Sequence, residues 1–199
     1  MKDVKVNVYE FNELSKDVQE RVIERYQDEL AGFLDVQLEE IMKWELNKYT
    51  NNLDFRLNYS LSYCQGDGVS FTGSAESKEE LFTLASLVYD NKIPKNILRL
   101  IKHEIIYSVE FVRGNSHYVH KYTVTPTIID NNIGDGYCHI RRAIAAFEKK
   151  IHEWYLQTCD NLEKVGYDTI ENMYHKDTIK GYVESNEFKF FIDGRDFLE

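Results

Sequence analysis

Proline and cysteine are scarce in this chain of 199 residues, with two of the first and three of the second. Two prolines allow no Pro-rich linker, and the sequence has no low-complexity tract and no internal repeat of about 20–50 residues. The length suits one sizeable core, so a single domain over 1–199 is expected, with room for two lobes. Cys64, Cys138 and Cys159 form no CxxC pair, and an odd number cannot all pair within the chain, which points to reduced thiols. No apolar run approaches the roughly 20 residues that cross a bilayer, and the start MKDVKVNVYEF lacks the apolar block of a secretion signal. The expected location is cytoplasmic, away from the membrane.

Positive charge is also in short supply. Lys and Arg number 24 against 34 Asp and Glu, a net charge of -10. Phosphate binding draws its free energy from cations that displace counterions, so non-specific nucleic-acid binding is not expected, and a basic partner is. Catalytic signatures are missing too. There is no GxSxG elbow, no phosphate-loop or dinucleotide fingerprint, and no Cys with a recognisable partner His. Histidines are scattered at 103, 117, 120, 139, 152 and 175. His117 and His120 fall on opposite faces of a predicted strand, and His139 beside Cys138 has no third ligand at metal spacing. The expectation is a non-enzyme that needs no cofactor and no metal.

What is abundant is aromatic surface and alternation. Aromatic residues make up 14% of the chain, which separates it from disordered acidic sequences. Leu53, Phe55, Leu57, Tyr59, Leu61 and Tyr63 occupy every second position, the period of a half-buried strand. Gly66-Asp67-Gly68 then turns the chain, and Val69 and Phe71 resume the pattern as a hairpin. A second hairpin is predicted from Ile105, Tyr107, Val109 and Phe111, through Arg113-Gly114-Asn115-Ser116, to Tyr118, His120, Tyr122 and Val124. Pro126 to Gly136 reads as an irregular loop. A short first strand is expected at Val4, Val6 and Val8, and a last one at Phe188, Phe190 and Ile192, before an Asp193-Gly194 turn.

Helices separate these strands. One opens at Ser15 with Val18, Val22, Tyr26 and Leu30 on a buried stripe. Gly32 predicts a break before a second helix over 35–49. Ser77 caps a helix to Asp90 with Leu81, Leu84, Ala85 and Val88 inward, and Pro94 opens another to His103. His139 to about Val165 carries Ile140, Ile144, Phe147, Ile151 and Trp154 at helical spacing, and Asp177 to Ser185 forms a short segment. The fold class predicted is α+β, a mainly antiparallel sheet built from hairpins and packed against several helices.

Two groups of residues are candidates for function. Gly66-Asp67-Gly68 and Gly134-Asp135-Gly136 are loops whose amides could approach an anion and whose aspartates could hold a metal ion, as a nucleotide-binding protein would require; ordinary turns are the competing reading. From Glu10 to Glu45 there are eleven acids against four bases. Within that stretch Asp17, Glu20, Glu24 and Asp28 line one helix face, opposite the apolar stripe, and can imitate a strand of phosphates. The competing reading is a solvated face softened by Arg21 and Arg25. Tyr59, Tyr63, Tyr107 and Tyr122 suit either the core or the interface of a homodimer.

Three blocks resemble a group of small bacteriophage and prophage accessory proteins. Val8-Tyr9-Glu10-Phe11-Asn12-Glu13-Leu14-Ser15 with Gln19 is similar to their strand and E-L-S helix start. Gly66-Asp67-Gly68-Val69-Ser70-Phe71-Thr72-Gly73 resembles their G-D-G-x-S-F hairpin. Asp177-Thr178-Ile179-Lys180, then Glu184-Ser185-Asn186-Glu187-Phe188, Phe190, Asp193, Gly194 and Phe197, is similar to their closing segment. The blocks cover about a third of the chain, and the stretch from about 77 to 135 has no counterpart. The resemblance implies a viral accessory protein in the host cytoplasm, of the kind that counters host defence. A stoichiometric inhibitor of a CRISPR effector or restriction nuclease follows as an expectation, with Asp17, Glu20, Glu24 and Asp28 binding its basic nucleic-acid surface. An antitoxin-like regulatory protein is the remaining alternative.

Overall fold

The structure is a computed structural model that describes residues 7–131 and 137–197, without the side chains of 31–34. It is α+β, and its contacts cluster in two compact units: Met1–Glu39 with Asp168–Glu199, and Glu40–Tyr167. Among the described residues the first unit begins with strand β1, Tyr9–Glu10, and a 3-10 turn, Phe11–Glu13; of the predicted first strand, Val4 and Val6 lie outside the described residues and Val8 is not in a strand. Helix α1, Lys16–Thr50, follows. It starts where predicted, with the Ser15 carbonyl accepting from the amides of Val18 and Gln19 at 2.9 Å each. The break expected at Gly32 is not there, and one helix runs through it. A glycine costs about 1 kcal/mol in a helix, which a long element with packed residues on either side absorbs.

The same unit closes with the end of helix α4, Cys138–Tyr174, then helix α5, Lys176–Ser185, and strand β6, Lys189–Phe190. Strand β6 pairs antiparallel with β1, Tyr9 against Phe190. Phe11, Leu14, Val18, Val22, Tyr26, Ile179, Val183 and Phe190 form the core of this unit. The predicted stripe on α1 is therefore the buried one, with Leu30 packed at its edge. The final strand is shorter than the alternation suggests. Ile192 is 71% exposed because the chain turns back at Gly194, whose φ is +89°.

In the second unit four strands, β2 (Phe55–Ser60), β3 (Gly68–Ala75), β4 (Ile106–Arg113) and β5 (Val124–Asp130), form an antiparallel sheet in sequential order. The predicted first hairpin is β2 and β3, in register from Phe55 against Gly73 to Ser60 against Gly68. Between β3 and β4 lie helices α2, Lys78–Val88, and α3, Lys95–Lys102. Ser77 and Glu80 close a capping box on α2, and Pro94 precedes α3, as their residue types predict. Phe55, Phe71 and Phe111 from three strands pack together, and Phe71 and Phe111 meet Tyr155 of α4, with Phe71 and Tyr155 ring centres 4.6 Å apart.

The second hairpin differs from expectation. A register shift between Ile106 and Ser108 inverts the alternation, so Ile106 is buried and Tyr107 is 44% exposed. Residues 114–123 are a long loop, not a tight turn and a strand, and the returning strand is β5, which contains Pro126. Proline is tolerated there because β5 is an edge strand with one side unpaired. Helix α4 also runs past the predicted end. Gly166 lies inside it facing Leu61 and Met42, and a Cβ at that position would overlap Leu61, so the glycine serves close packing. No described helix is long and apolar enough to cross a membrane.

Candidate functional site

On α1 the four carboxylates of Asp17, Glu20, Glu24 and Asp28 are all exposed. Successive members are three or four residues apart, so at 1.5 Å per residue the row is about 16 Å long. Among the described residues none of the four side chains has a hydrogen bond or an ion pair. The bases that could soften the row are used differently from expectation. Arg25 donates from Nη1 to the Gly194 carbonyl at 2.9 Å and from Nη2 to Asp196 at 2.6 Å. Its remaining acidic neighbour is Glu29, at 3.6 Å. Arg21 stays beside the row, with Nε 3.4 Å from the Asp17 carbonyl oxygen and not on a carboxylate.

The start of α1 is held by its own side chains. Glu13 accepts from the Glu10 amide at 2.8 Å, and Gln19 donates to the carbonyls of Phe11 and Leu14 at 3.1 and 3.0 Å. Glu10, Glu13 and Gln19 in the first resembling block therefore lock the turn from which the acidic face projects.

Gly66-Asp67-Gly68 is also accounted for atom by atom. One Asp67 carboxylate oxygen accepts from the Ser60 hydroxyl at 2.6 Å, and the other accepts from the amides of Ser62 and Cys64 at 2.7 Å each. The Ser60 hydroxyl, helped by those amides, holds the carboxyl below its ordinary range. The amides that might cradle an external anion are thus filled by the loop's own aspartate. Both glycines have positive φ, +93° and +149°. A Cβ on Gly66 would overlap the Tyr118 ring, and one on Gly68 would lie 2.9 Å from the His120 Cβ. Their second role is to let the 114–123 loop lie against the hairpin. Gly134-Asp135-Gly136 lies outside the described residues.

The 114–123 loop is braced. The Gly114 amide donates to the Thr123 carbonyl at 2.8 Å, the Thr123 amide to the His120 carbonyl at 2.9 Å, and Arg113 to the Tyr118 carbonyl. Where it meets the hairpin and α4, a cavity of about 460 Å3 opens, lined by Gly66, Asp67, Tyr118, His120, Lys121, Tyr122, Asp160 and Glu163 among others. Lys121 pairs with Asp160. Burial pulls the Lys121 ammonium down, but the hydrogen bond and charge of Asp160 outweigh it and hold it above its ordinary value. Burial pushes the Glu163 carboxyl up, with Lys121 opposing and Asp160 adding to the shift. Glu163 has no hydrogen-bond or ion-pair partner among the described residues, and the buried His120 Nδ1 has none either. The Tyr118 and His120 rings are stacked at 6.2 Å, and Tyr122 meets His120 edge-on at 6.0 Å.

Sequence reasoning placed Asp67 at a turn but did not find Tyr118, His120, Lys121, Tyr122, Asp160 or Glu163 as one group. The available signal was the spacing of Asp160 and Glu163, three apart on one helix face, and it was lost among the many acids of the chain. Of the tyrosines considered for an interface, Tyr63, Tyr107 and Tyr122 are exposed. Among the described residues no group of three or more His, Cys, Asp or Glu could hold a metal ion. The thiols of Cys64 and Cys138 are exposed, and that of Cys159 is buried, which pushes it up to about 12. Compared with family models, curated proteins and solved structures, the chain matches none of them.

Proposed function

We propose that this chain is a phage accessory protein that acts by stoichiometric binding, its acidic α1 face occupying the basic nucleic-acid surface of a host defence protein such as a CRISPR effector or restriction nuclease. The observation that carries this reading is the row of four exposed carboxylates, none of them paired with a cation among the described residues, while Arg25 is drawn to Gly194 and Asp196 and Arg21 to the Asp17 carbonyl. A carboxylate row that is not neutralised from within is an offer to an external cation, and complementary charge supplies both steering and selectivity. The resemblance of the three sequence blocks to phage accessory proteins supplies the biological setting.

The test reverses Asp17, Glu20, Glu24 and Asp28 to lysine and measures binding to candidate defence nucleases purified from an infected host. The expected result is an affinity loss of about a hundredfold or more, strongest at low salt, with an unchanged circular dichroism spectrum. An affinity equal to that of the parent protein would sink the assignment of this face.

A further inference from the structure

We propose that the cavity between the hairpin, the 114–123 loop and α4 is a binding site for an organic cation, a guanidinium or primary ammonium group, held by Glu163 with the rings of Tyr118 and Tyr122. This site is independent of the α1 face and does not rest on the function proposed for it. The chemistry follows from which lining charges are already spent. Asp67 is satisfied by Ser60, Ser62 and Cys64, and Asp160 by Lys121. Glu163 is not satisfied. With Lys121 engaged, the cavity's described lining residues include no free cation with which to take a phosphate or carboxylate, and their formal balance of three acids to one base repels both.

A bare metal ion fits less well. No described group of three ligands could hold one, and about 460 Å3 is the size of a small-molecule site and far exceeds a single ion. Tyrosine faces attract cations: Lys121 Nζ already lies 5.2 Å from the centre of the Tyr122 ring, and Tyr118 and Tyr122 are 54% and 71% exposed, so a ligand can reach them. A guanidinium has five donors in a plane, enough to serve both oxygens of the Glu163 carboxylate. Two sources share this chemistry: a free small cation, and an arginine or lysine side chain of a basic protein.

The probes are acetyl-arginine amide, its neutral isostere acetyl-citrulline amide, agmatine, and a short peptide with one central arginine, titrated calorimetrically into the full chain at low salt. Saturable binding of the arginine probes and none of the citrulline probe is expected. Glu163→Gln, which keeps the side chain's size, should weaken arginine binding about tenfold or more, since a charge-assisted hydrogen bond is lost. Glu163→Asp should retain part of it, and Tyr122→Ala, at an exposed position, should weaken it several-fold. Thermal melting of each variant alongside the parent separates loss of binding from loss of fold. Peptide binding at least tenfold tighter than that of the amide assigns the site to a partner's side chain; equal affinities assign it to a free cation, and either supports the site. No saturable binding by any cation, equal binding of citrulline, or undiminished binding by a folded Glu163→Gln overturns it.

Discussion

Asp196→Ala tests the arrangement that keeps α1 acidic. Asp196 accepts from Arg25 at 2.6 Å and from the Tyr26 hydroxyl at 3.0 Å, and the Arg25 and Asp196 side chains are 32% and 31% exposed. A hydrogen bond to a charged group contributes about 1.5–3 kcal/mol when buried. An exposed ion pair contributes only about 0–1 kcal/mol. At one-third exposure the loss should be about 1–2 kcal/mol, or about 2–8 °C in Tm for a chain of this size. A second readout is independent of melting. Burial pushes the Tyr26 phenol well above its ordinary value, and the Asp196 hydrogen bond pushes it further. Spectrophotometric titration of Asp196→Ala should therefore show one tyrosine ionising at lower pH than in the parent, though still later than a free phenol. A melt within about 0.5 kcal/mol of the parent, together with an unchanged tyrosine titration, would refute the view that Asp196 holds Arg25 and Tyr26.

Two further outcomes follow from single groups. Tyr155→Phe removes the hydroxyl that meets both the amide and the carbonyl of Phe71, at 3.3 and 3.4 Å, where the pairing of β3 with β4 covers only Gly73 to Ala75; leaving those buried groups unsatisfied should cost about 1–3 kcal/mol in denaturant unfolding. Asp67→Ala removes the acceptor of the Ser62 and Cys64 amides and of the Ser60 hydroxyl, so both amides should lose hydrogen-exchange protection. The depressed Asp67 carboxyl contributes stability that is full above its ordinary value of 3.8 and lost as pH falls through its lower folded value, and acid titration of the variant should lack this step.

Alternation was a sound guide where the strand pairs regularly and a poor one where it does not. Phe55 and Leu61 are buried and Leu57 and Tyr59 partly so, as their spacing predicts, yet only Phe55–Ser60 is strand and Tyr63 is 66% exposed. The sequence period does not show where the ladder ends: Asn51, Asn52 and Tyr63 take positive φ on either side of the strand. The register shift before Ser108 is a feature of pairing with β5 and leaves no mark in the residue types of β4 alone. Tyr118, His120 and Tyr122 alternate for a different reason. Tyr118 and His120 pack over Gly66 and Gly68, an arrangement that needs both loops in place before it can be recognised.

The α1 row was legible as a face in the sequence; which carboxylates stay unpaired, there and at Glu163, was not. In a chain with 34 acids, sequence identifies every carboxylate and says nothing about which have donors. Asp67, the acid that the Gly-Asp-Gly motif singled out, turns out to be fully engaged inside its own loop, and Asp196 and Asp160 are engaged by Arg25 and Lys121. Paired acids contribute to the fold and present little net charge to a partner. Among the described acids considered, the row on α1 and Glu163 are the ones left without a hydrogen bond or ion pair, and these are the ones the two proposals use. Arginine placement decides the difference on α1. Arg25 lies one residue from Glu24 in sequence, and helical spacing predicts that it softens the face, but the carbonyl of Gly194 and the carboxylate of Asp196 offer it better-buried acceptors from the far end of the chain.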